Sequence, residues 1–321
     1  SLMFQRFPDH NGYDDPQFSS FYGQTLPLLK RGIPVELVHM ENTPFKDTFN
    51  GLQVLVMSYS NMKPMKSEYH NYLADWVKKG GTLVYCGEDV DPYQTVLEWW
   101  NTAGNAYKAP SEHLFEAMGL SRNPGDGTYR FGKGTVIVMR EDPKHFVLKG
   151  GNDRKYFETI VSAYESKTGK KIEIKNNFMV ERGPYTIAAV MDESSSKEPL
   201  KLSGLYIDLF DKDLPVLTVK QINPGEQGYL YDLNKVLGKV KAKVLCGASR
   251  IYDEKVGKQS YSFVAKSPLH TTNVSRVLLP RKPGKVLVNG KAEQPEWDES
   301  SKTLLLSFEN DPAGVNVSIE W

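Results

Sequence analysis

Three short polar stretches hold most of the side chains in this sequence that could do chemistry. They are Arg6 to Tyr13, with Asp9, His10 and Asn11; Ser58-Tyr59-Ser60-Asn61; and Cys86-Gly87-Glu88-Asp89-Val90-Asp91, followed by Tyr93. Each follows an apolar run of strand character, and in an open parallel sheet ligands bind in the crevice beyond the carboxyl ends of the strands. That spacing makes His10, Asn11, Tyr59, Asn61, Cys86, Glu88, Asp89, Asp91 and Tyr93 candidates for one ligand-binding rim. The competing account is that strand ends run into polar loops because loops face water.

Cys86 ends a strand and precedes a glycine, the place where a nucleophile elbow would present its thiol. An elbow needs small residues on both sides, whereas Tyr85 and Glu88 crowd this one. A catalytic cysteine also needs a partner base, and His113 and His145 stand alone in the sequence. No catalytic residue is therefore assigned. Glu88, Asp89 and Asp91 are hard oxygen donors that could attract calcium, but the stretch lacks the full loop pattern, so no metal site is expected. A glycosidase needs two carboxyl groups flanking one bond, and among 39 acidic residues no pair stands out. Tyr93, Trp99 and Trp100 could stack on a sugar, although adjacent tryptophans on a helix point about 100 degrees apart, so one would pack inward. Gly132-Lys133-Gly134 precedes a strand instead of opening a helix, the wrong context for a phosphate cradle. No cofactor is expected.

The elements that must position these residues follow from periodicity. Up to about residue 100, short apolar runs at Leu2-Met3-Phe4, Val35 to Val38, Leu52 to Met57 and Thr82 to Tyr85 alternate with amphipathic stretches, as in βαβ units on a parallel sheet. Tyr69, Leu73, Trp76 and Val77 share one helical face that ends in Lys78, Lys79 and Gly80-Gly81, a cationic last turn with a glycine stop. The pattern predicts helix over 93 to 120, loop over 120 to 134, a strand at Val136 to Met139, and a helix carrying Phe157, Ile160, Val161 and Tyr164 that opens near Asn152-Asp153. Beyond about residue 176 the period changes to 2, with turns such as Asn223-Pro224-Gly225 and Asn289-Gly290. The fold class expected is a flavodoxin-like α/β domain over 1-176, then an antiparallel, all-β sandwich-like domain over 177-321.

Composition narrows function. The 321 residues carry 40 basic and 39 acidic side chains, a balance that argues against nucleic acid as a partner. No apolar run reaches the roughly 20 residues of a membrane-spanning helix, so no membrane partner is expected. Cys86 and Cys246 define neither a disulfide framework nor a zinc site. Ser1 is followed at once by Leu2-Met3-Phe4-Gln5 with no signal peptide, so the chain reads as cut from something longer.

Val54 to Met65 (Val-Leu-Val-Met-Ser-Tyr-Ser-Asn-Met-Lys-Pro-Met), Trp76 to Tyr85, Asp91-Pro92-Tyr93 and Glu98-Trp99-Trp100-Asn101 resemble the class I glutamine-amidotransferase-like domain behind the catalytic barrel of β-galactosidase-like glycoside hydrolases. Arg182-Gly183-Pro184-Tyr185, Asp208-Leu209-Phe210-Asp211, Leu214-Pro215-Val216 and Pro224-Gly225-Glu226-Gln227 resemble the β-domain that follows it in bacterial glycosidases. The resemblance implies a trimerisation domain, a secreted or periplasmic location and carbohydrate as a partner. It also implies a homo-oligomer, formed through the α/β domain or through a catalytic barrel upstream. The Gly-x-Cys-x-Gly elbow of true amidotransferases is replaced here by Val84-Tyr85-Cys86-Gly87-Glu88, and no barrel fits in these residues. The expectation is a non-catalytic C-terminal portion of a glycoside hydrolase-like protein in carbohydrate degradation, supporting oligomerisation and the mouth of the substrate site. The alternatives are a stand-alone hydrolase using Tyr59, Cys86 and Glu88, or a carbohydrate-binding module.

Overall fold

The computed structural model describes residues 18–148 and 152–321; the strand expected at Leu2-Met3-Phe4 and the polar stretch with His10 and Asn11 lie outside them. The chain divides after Lys175 into two compact units.

The first unit runs α1 (Ser19–Leu29), β1 (Val54–Met57), α2 (Glu68–Lys78), β2 (Thr82–Cys86), α3 (Pro110–Ala117), β3 (Gly127–Phe131), β4 (Gly134–Met139) and α4 (Arg154–Thr168). Its sheet has the order β1-β2-β4-β3, with β1, β2 and β4 parallel and β3 antiparallel at the edge. Successive residues of a strand point to opposite faces, and β2 is buried on both. Leu83 and Tyr85 pack with Leu73 and Val77 of α2 and Leu114 and Phe115 of α3. Val84 and Cys86 pack with Leu28 of α1 and Tyr156 and Ile160 of α4. α2 forms because Tyr69, His70, Leu73, Ala74 and Val77 make one buried stripe, with Glu68 in the first turn and Lys78 in the last, each favourable to the helix dipole. Its end sits hard against β4: a Cβ on Gly134 would lie 1.9 Å from the Val77 carbonyl oxygen, so only glycine fits.

The second unit holds three sheets. β5 (Asn177–Arg182), β6 (Tyr185–Val190), β7 (Leu200–Asp208), β8 (Val216–Ile222) and β9 (Gln227–Asp232) form one, in the order β5-β6-β9-β7-β8. β10 (Lys243–Gly247), β13 (Thr272–Leu278), β17 (Thr303–Glu309) and β16 (Glu296–Asp298) form the second in that order. The third has the order β11 (Arg250–Val256), β12 (Ser260–Lys266), β18 (Val315–Glu320), β14 (Lys285–Val288) and β15 (Lys291–Ala292). Val277, Leu304 and Leu306 of the second sheet face Phe263, Val317 and Ile319 of the third. Leu245, Leu278 and Leu305 on its other side meet Ile207 and Tyr231 of the first. The second sheet is thus the middle layer of three. The expected Asn289-Gly290 turn joins β14 to β15 with both residues at positive φ, +48° and +76°, as a two-residue hairpin requires.

These observations correct the expected fold class. β-strand dominates the described residues, gathered in four sheets against four helices, and a flavodoxin-like α/β domain does not describe them; the strands of the second unit pair antiparallel throughout, in three sheets. Val35 to Val38 joins no sheet; Pro34 before it lacks an N–H donor. Of the helix expected over 93 to 120 only Pro110–Ala117 is α-helical; Pro92–Thr95 is a short 3-10 helix and the residues between are turns, bends and irregular backbone. There the Asn101 amide donates to the Val96 carbonyl, the Asn105 amide to that of Trp99 and the Trp100 indole to that of Gln94. Side chains that bond local backbone compete with a helix. The stretch 120 to 134, expected as loop, contains β3.

Arg276 of β13 is buried in the middle layer, 4% exposed. Its Nε donates to the Leu214 carbonyl at 2.8 Å and its Nη1 to Thr303 Oγ1 at 3.4 Å. Arg276→Met keeps the side chain's length but leaves the Leu214 carbonyl without its donor, and is expected to cost ~1–3 kcal/mol. Urea unfolding of the second unit should show the midpoint falling with an unchanged slope.

Candidate functional site

Because β1, β2 and β4 run parallel, the segments after them meet on one side of the sheet. That brings together Tyr59, Asp89 and Asp91, with Arg140 after β4 and Ser111 at the start of α3. Asp89 adopts a left-handed backbone, φ +60°, which Asp tolerates better than most residues. One of its oxygens accepts from Tyr85 Oη. The other accepts from Ser111 Oγ and from Arg140 Nη1, both at 2.7 Å. Arg140 also donates to the Pro124 carbonyl at 2.9 Å and Asn123 Oδ1 at 2.8 Å, and its guanidinium lies 5.1 Å from the Phe115 ring centroid.

Asp91 is engaged as fully. It accepts from the Tyr93 backbone N–H at 3.0 Å, from Gln94 Nε2 at 2.8 Å and from Lys63 Nζ at 2.7 Å. Lys63 donates again to the Tyr59 carbonyl at 2.5 Å, fastening the loop after β1 to the loop after β2. A second fastener is Trp99, whose indole N–H donates to the Pro64 carbonyl at 2.8 Å. Trp100 is buried, so neither tryptophan stands out on an exposed helix.

The remaining sequence candidates divide. Cys86 is fully buried with Met139 Sδ 3.9 Å from its sulfur. Burial, reinforced by the negative charges of Glu141 and Asp126, pushes its thiol pKa well up, the reverse of an activated nucleophile. Glu88 is exposed, its Oε1 3.9 Å from His145 Nδ1. Asn61 forms a left-handed turn at φ +60°, and Tyr93 is about half exposed. No group of three or more His, Cys, Asp or Glu able to hold a metal ion occurs among the described residues. A cavity of ≈ 970 Å³ runs beside β1, walled largely by Leu28, Ile33, Val35, Val54, Val56 and Ile160; Cys86, Glu88, Asp89 and Asp91 are not in its wall.

The structure also brings together two histidines that lie 43 positions apart in the sequence. Tyr59 Oη lies 2.6 Å from His70 Nε2, and His70 Nδ1 lies 2.8 Å from His113 Nδ1. The Trp99 ring stands edge-on to both imidazoles, and Tyr107 edge-on to His113. Burial and then the neighbouring His113 lower the His70 pKa to about 3. Burial lowers that of His113 too, against the opposing pull of Glu116. The available signal was His70 itself, a titratable residue three and seven positions before Leu73 and Val77 on the buried stripe.

Chemically the arrangement is an ordered polar network. Its two inner carboxylates are neutralised by cations and its cysteine is sealed.

No family model matches the chain, and no curated protein matches it. Among solved structures, a catalytic mutant of Gan42B, a GH42 β-galactosidase from G. stearothermophilus, is similar at a TM-score of 0.39 and 13% identity, over 70% of this chain and 38% of that one. A second Gan42B structure gives 0.37 and 14% over 69% and 37%. A Flavobacterium johnsoniae GH31 dextranase gives 0.27 and 9% over 81% and 38%. The chain therefore spans less than two fifths of the length of these proteins. The likeness is to glycoside hydrolases and is distant; at these scores it assigns no residue a role.

Two outcomes follow from the network. Arg140→Met leaves Asp89, in a pair whose side chains are only 18% and 9% exposed, without its cation, and is expected to cost ~2–4 kcal/mol in urea unfolding; Asp89→Asn in the same chain should recover part of the loss. The second concerns acid. Unfolded imidazoles titrate near 6.5, so above that pH the neutral histidine pair contributes fully. Below it the unfolded chain takes up protons that the folded pair refuses, and stability declines as pH falls from about 6.5 toward 3. The urea midpoint of the first unit, followed against pH, measures this slope.

Proposed function

We propose that this chain is the non-catalytic, C-terminal portion of a glycoside hydrolase-like protein, working in carbohydrate degradation by holding subunits together and shaping the mouth of a substrate site. The observation that carries the reading is the occupied state of the rim: Asp89 and Asp91 are tied to Arg140 and Lys63, and Cys86 has no access to solvent. A carboxylate pair for glycoside cleavage would need one oxygen acid to protonate the leaving group and another free to attack or to activate water. An amidotransferase would need an exposed, activated thiol. The motif resemblance in the amino-acid sequence supports the glycosidase setting, the trimerisation role and a secreted or periplasmic location, and the distant likeness to glycoside hydrolases agrees with a carbohydrate-related role.

A rim closed by its own ion pairs can still offer a surface. Met62, Met65, Val90, Tyr93, Val96 and Leu97 are exposed on the two fastened loops, and apolar side chains held by rigid loops suit an intersubunit contact.

The chain alone is expected to turn over neither nitrophenyl glycosides nor glutamine, and Cys86, in a Cys246→Ser background, should resist thiol reagents until the first unit unfolds. Turnover abolished by Glu88→Gln or Cys86→Ala would overturn the reading in favour of a stand-alone hydrolase. Light scattering at about 100 μM, some hundredfold above a micromolar Kd, should show a species larger than the monomer, reduced by Leu97→Asp.

A further inference from the structure

The histidine pair lies directly beneath the two fastened loops. Trp99, whose indole holds Pro64, has its ring centroid 5.6 Å from that of His70 and 5.4 Å from that of His113. Two imidazoles that meet through Nδ1 can be joined only while one of those nitrogens carries a proton and the other does not. Tyr59 is buried, and its hydroxyl has His70 Nε2 at 2.6 Å. With every group neutral, one arrangement satisfies the chain: the Tyr59 hydroxyl donates to His70 Nε2, and His70 Nδ1–H donates to His113 Nδ1.

A proton added at His113 Nδ1 removes that acceptor. The contact survives only if His70 changes tautomer, so that His113 Nδ1–H donates to His70 Nδ1 and His70 Nε2–H donates to Tyr59, whose own hydroxyl hydrogen then loses its acceptor inside the core. A second proton, on His70, abolishes the contact. The groups facing the pair give little compensation. On α3, Glu116 is the near carboxylate, and it already accepts from Tyr107 Oη at 2.6 Å and Arg122 at 3.4 Å; Glu112 accepts from the Lys108 backbone N–H. The loop before α3 gives the Trp99 and Tyr107 rings, β1's end gives Tyr59, and β2's end gives Asp89, bound to Arg140. No carboxylate bonds either imidazole among the described residues.

We propose that the Tyr59–His70–His113 chain is an acid-operated latch: in its neutral state it seats Trp99 and so keeps the loops carrying Met65, Tyr93 and Leu97 fastened, and protonation of His113 releases them. The first structure to give way in acid is then the pair of loops, with the sheet beneath still folded. The inference is independent of what the exposed apolar side chains of those loops meet, and of any role in carbohydrate degradation.

Hydrogen exchange of the full chain near pH 7 and near pH 5, corrected for intrinsic rates, tests it. An open state whose histidine titrates near 6.5 gains up to about twenty-fivefold over that interval. Exchange in 59–66 and 93–101 is expected to quicken about tenfold relative to β2 in the same sample. In His113→Gln, whose side-chain carbonyl can still accept from His70 and does not titrate, the quickening should fall below about twofold. No acid response in the natural chain, or an equal response in His113→Gln, overturns the proposal. Should the variant fail to fold, histidine Cε1–H resonances of the natural chain decide: His113 titrating below 6.5 together with a shift of the Trp99 indole N–H supports the latch. An ordinary His113 titration with Trp99 unmoved overturns it.

Discussion

The carboxylate of Asp89 is the point to which the first unit's rim is anchored. Four segments reach it: β2 through Tyr85, the turn after β2 through its own backbone, α3 through Ser111, and the end of β4 through Arg140. A charge this far from water needs a counter-charge and hydrogen bonds to its remaining lone pairs, and Asp89 has both. The consequences spread outward. Arg140, held in place, organises Asn123 and Pro124; Ser111, held in place, sets the start of α3, which carries His113 toward His70. The same interaction that makes the rim rigid commits the Asp89 carboxylate and the Arg140 guanidinium to each other.

Much of the local structure was legible because it depends on neighbours in sequence. The buried stripe of α2 could be read from the spacing of Tyr69, Leu73 and Val77, and the strands of the second unit from alternation and turn residues. What failed was of two kinds. The stretch 93 to 109 has helical spacing, but Asn101, Asn105 and Trp100 spend their hydrogen bonds on nearby carbonyls, and a pattern of apolar positions does not reveal where polar side chains will turn. The flavodoxin-like reading rested on counting every apolar run in the first half as a strand of one sheet. Among the described residues Val35 to Val38 joins none, and the sheet has three parallel strands with an antiparallel edge.

The candidate site was legible as a place and illegible as a state. Tyr59, Asp89 and Asp91 do come together, since parallel strands deliver their ends to one side. Their partners are distant in sequence: Arg140 is 51 positions from Asp89 and Lys63 is 28 from Asp91. The two histidines are separated by 43. Residue types at a strand end advertise ligand chemistry equally well whether the chain itself neutralises them or leaves them open, and only the long-range pairing distinguishes the two.

The middle sheet of the second unit raises a problem of alignment that Arg276 resolves. In a sheet with one face in water, shifting a strand by one residue exposes its apolar set, so the hydrophobic pattern fixes the register. β13 has no such guide, because Val277 and Leu278 are both buried, on opposite faces. A slip by one position would trade one apolar face for another at little cost from those residues. It would also turn the guanidinium of Arg276 into the layer built from Phe263, Leu304 and Val317, away from the Leu214 carbonyl and Thr303. The arginine thus acts as a key cut for one side of the strand: it marks which way up β13 must lie, in a layer where apolar side chains carry no such information.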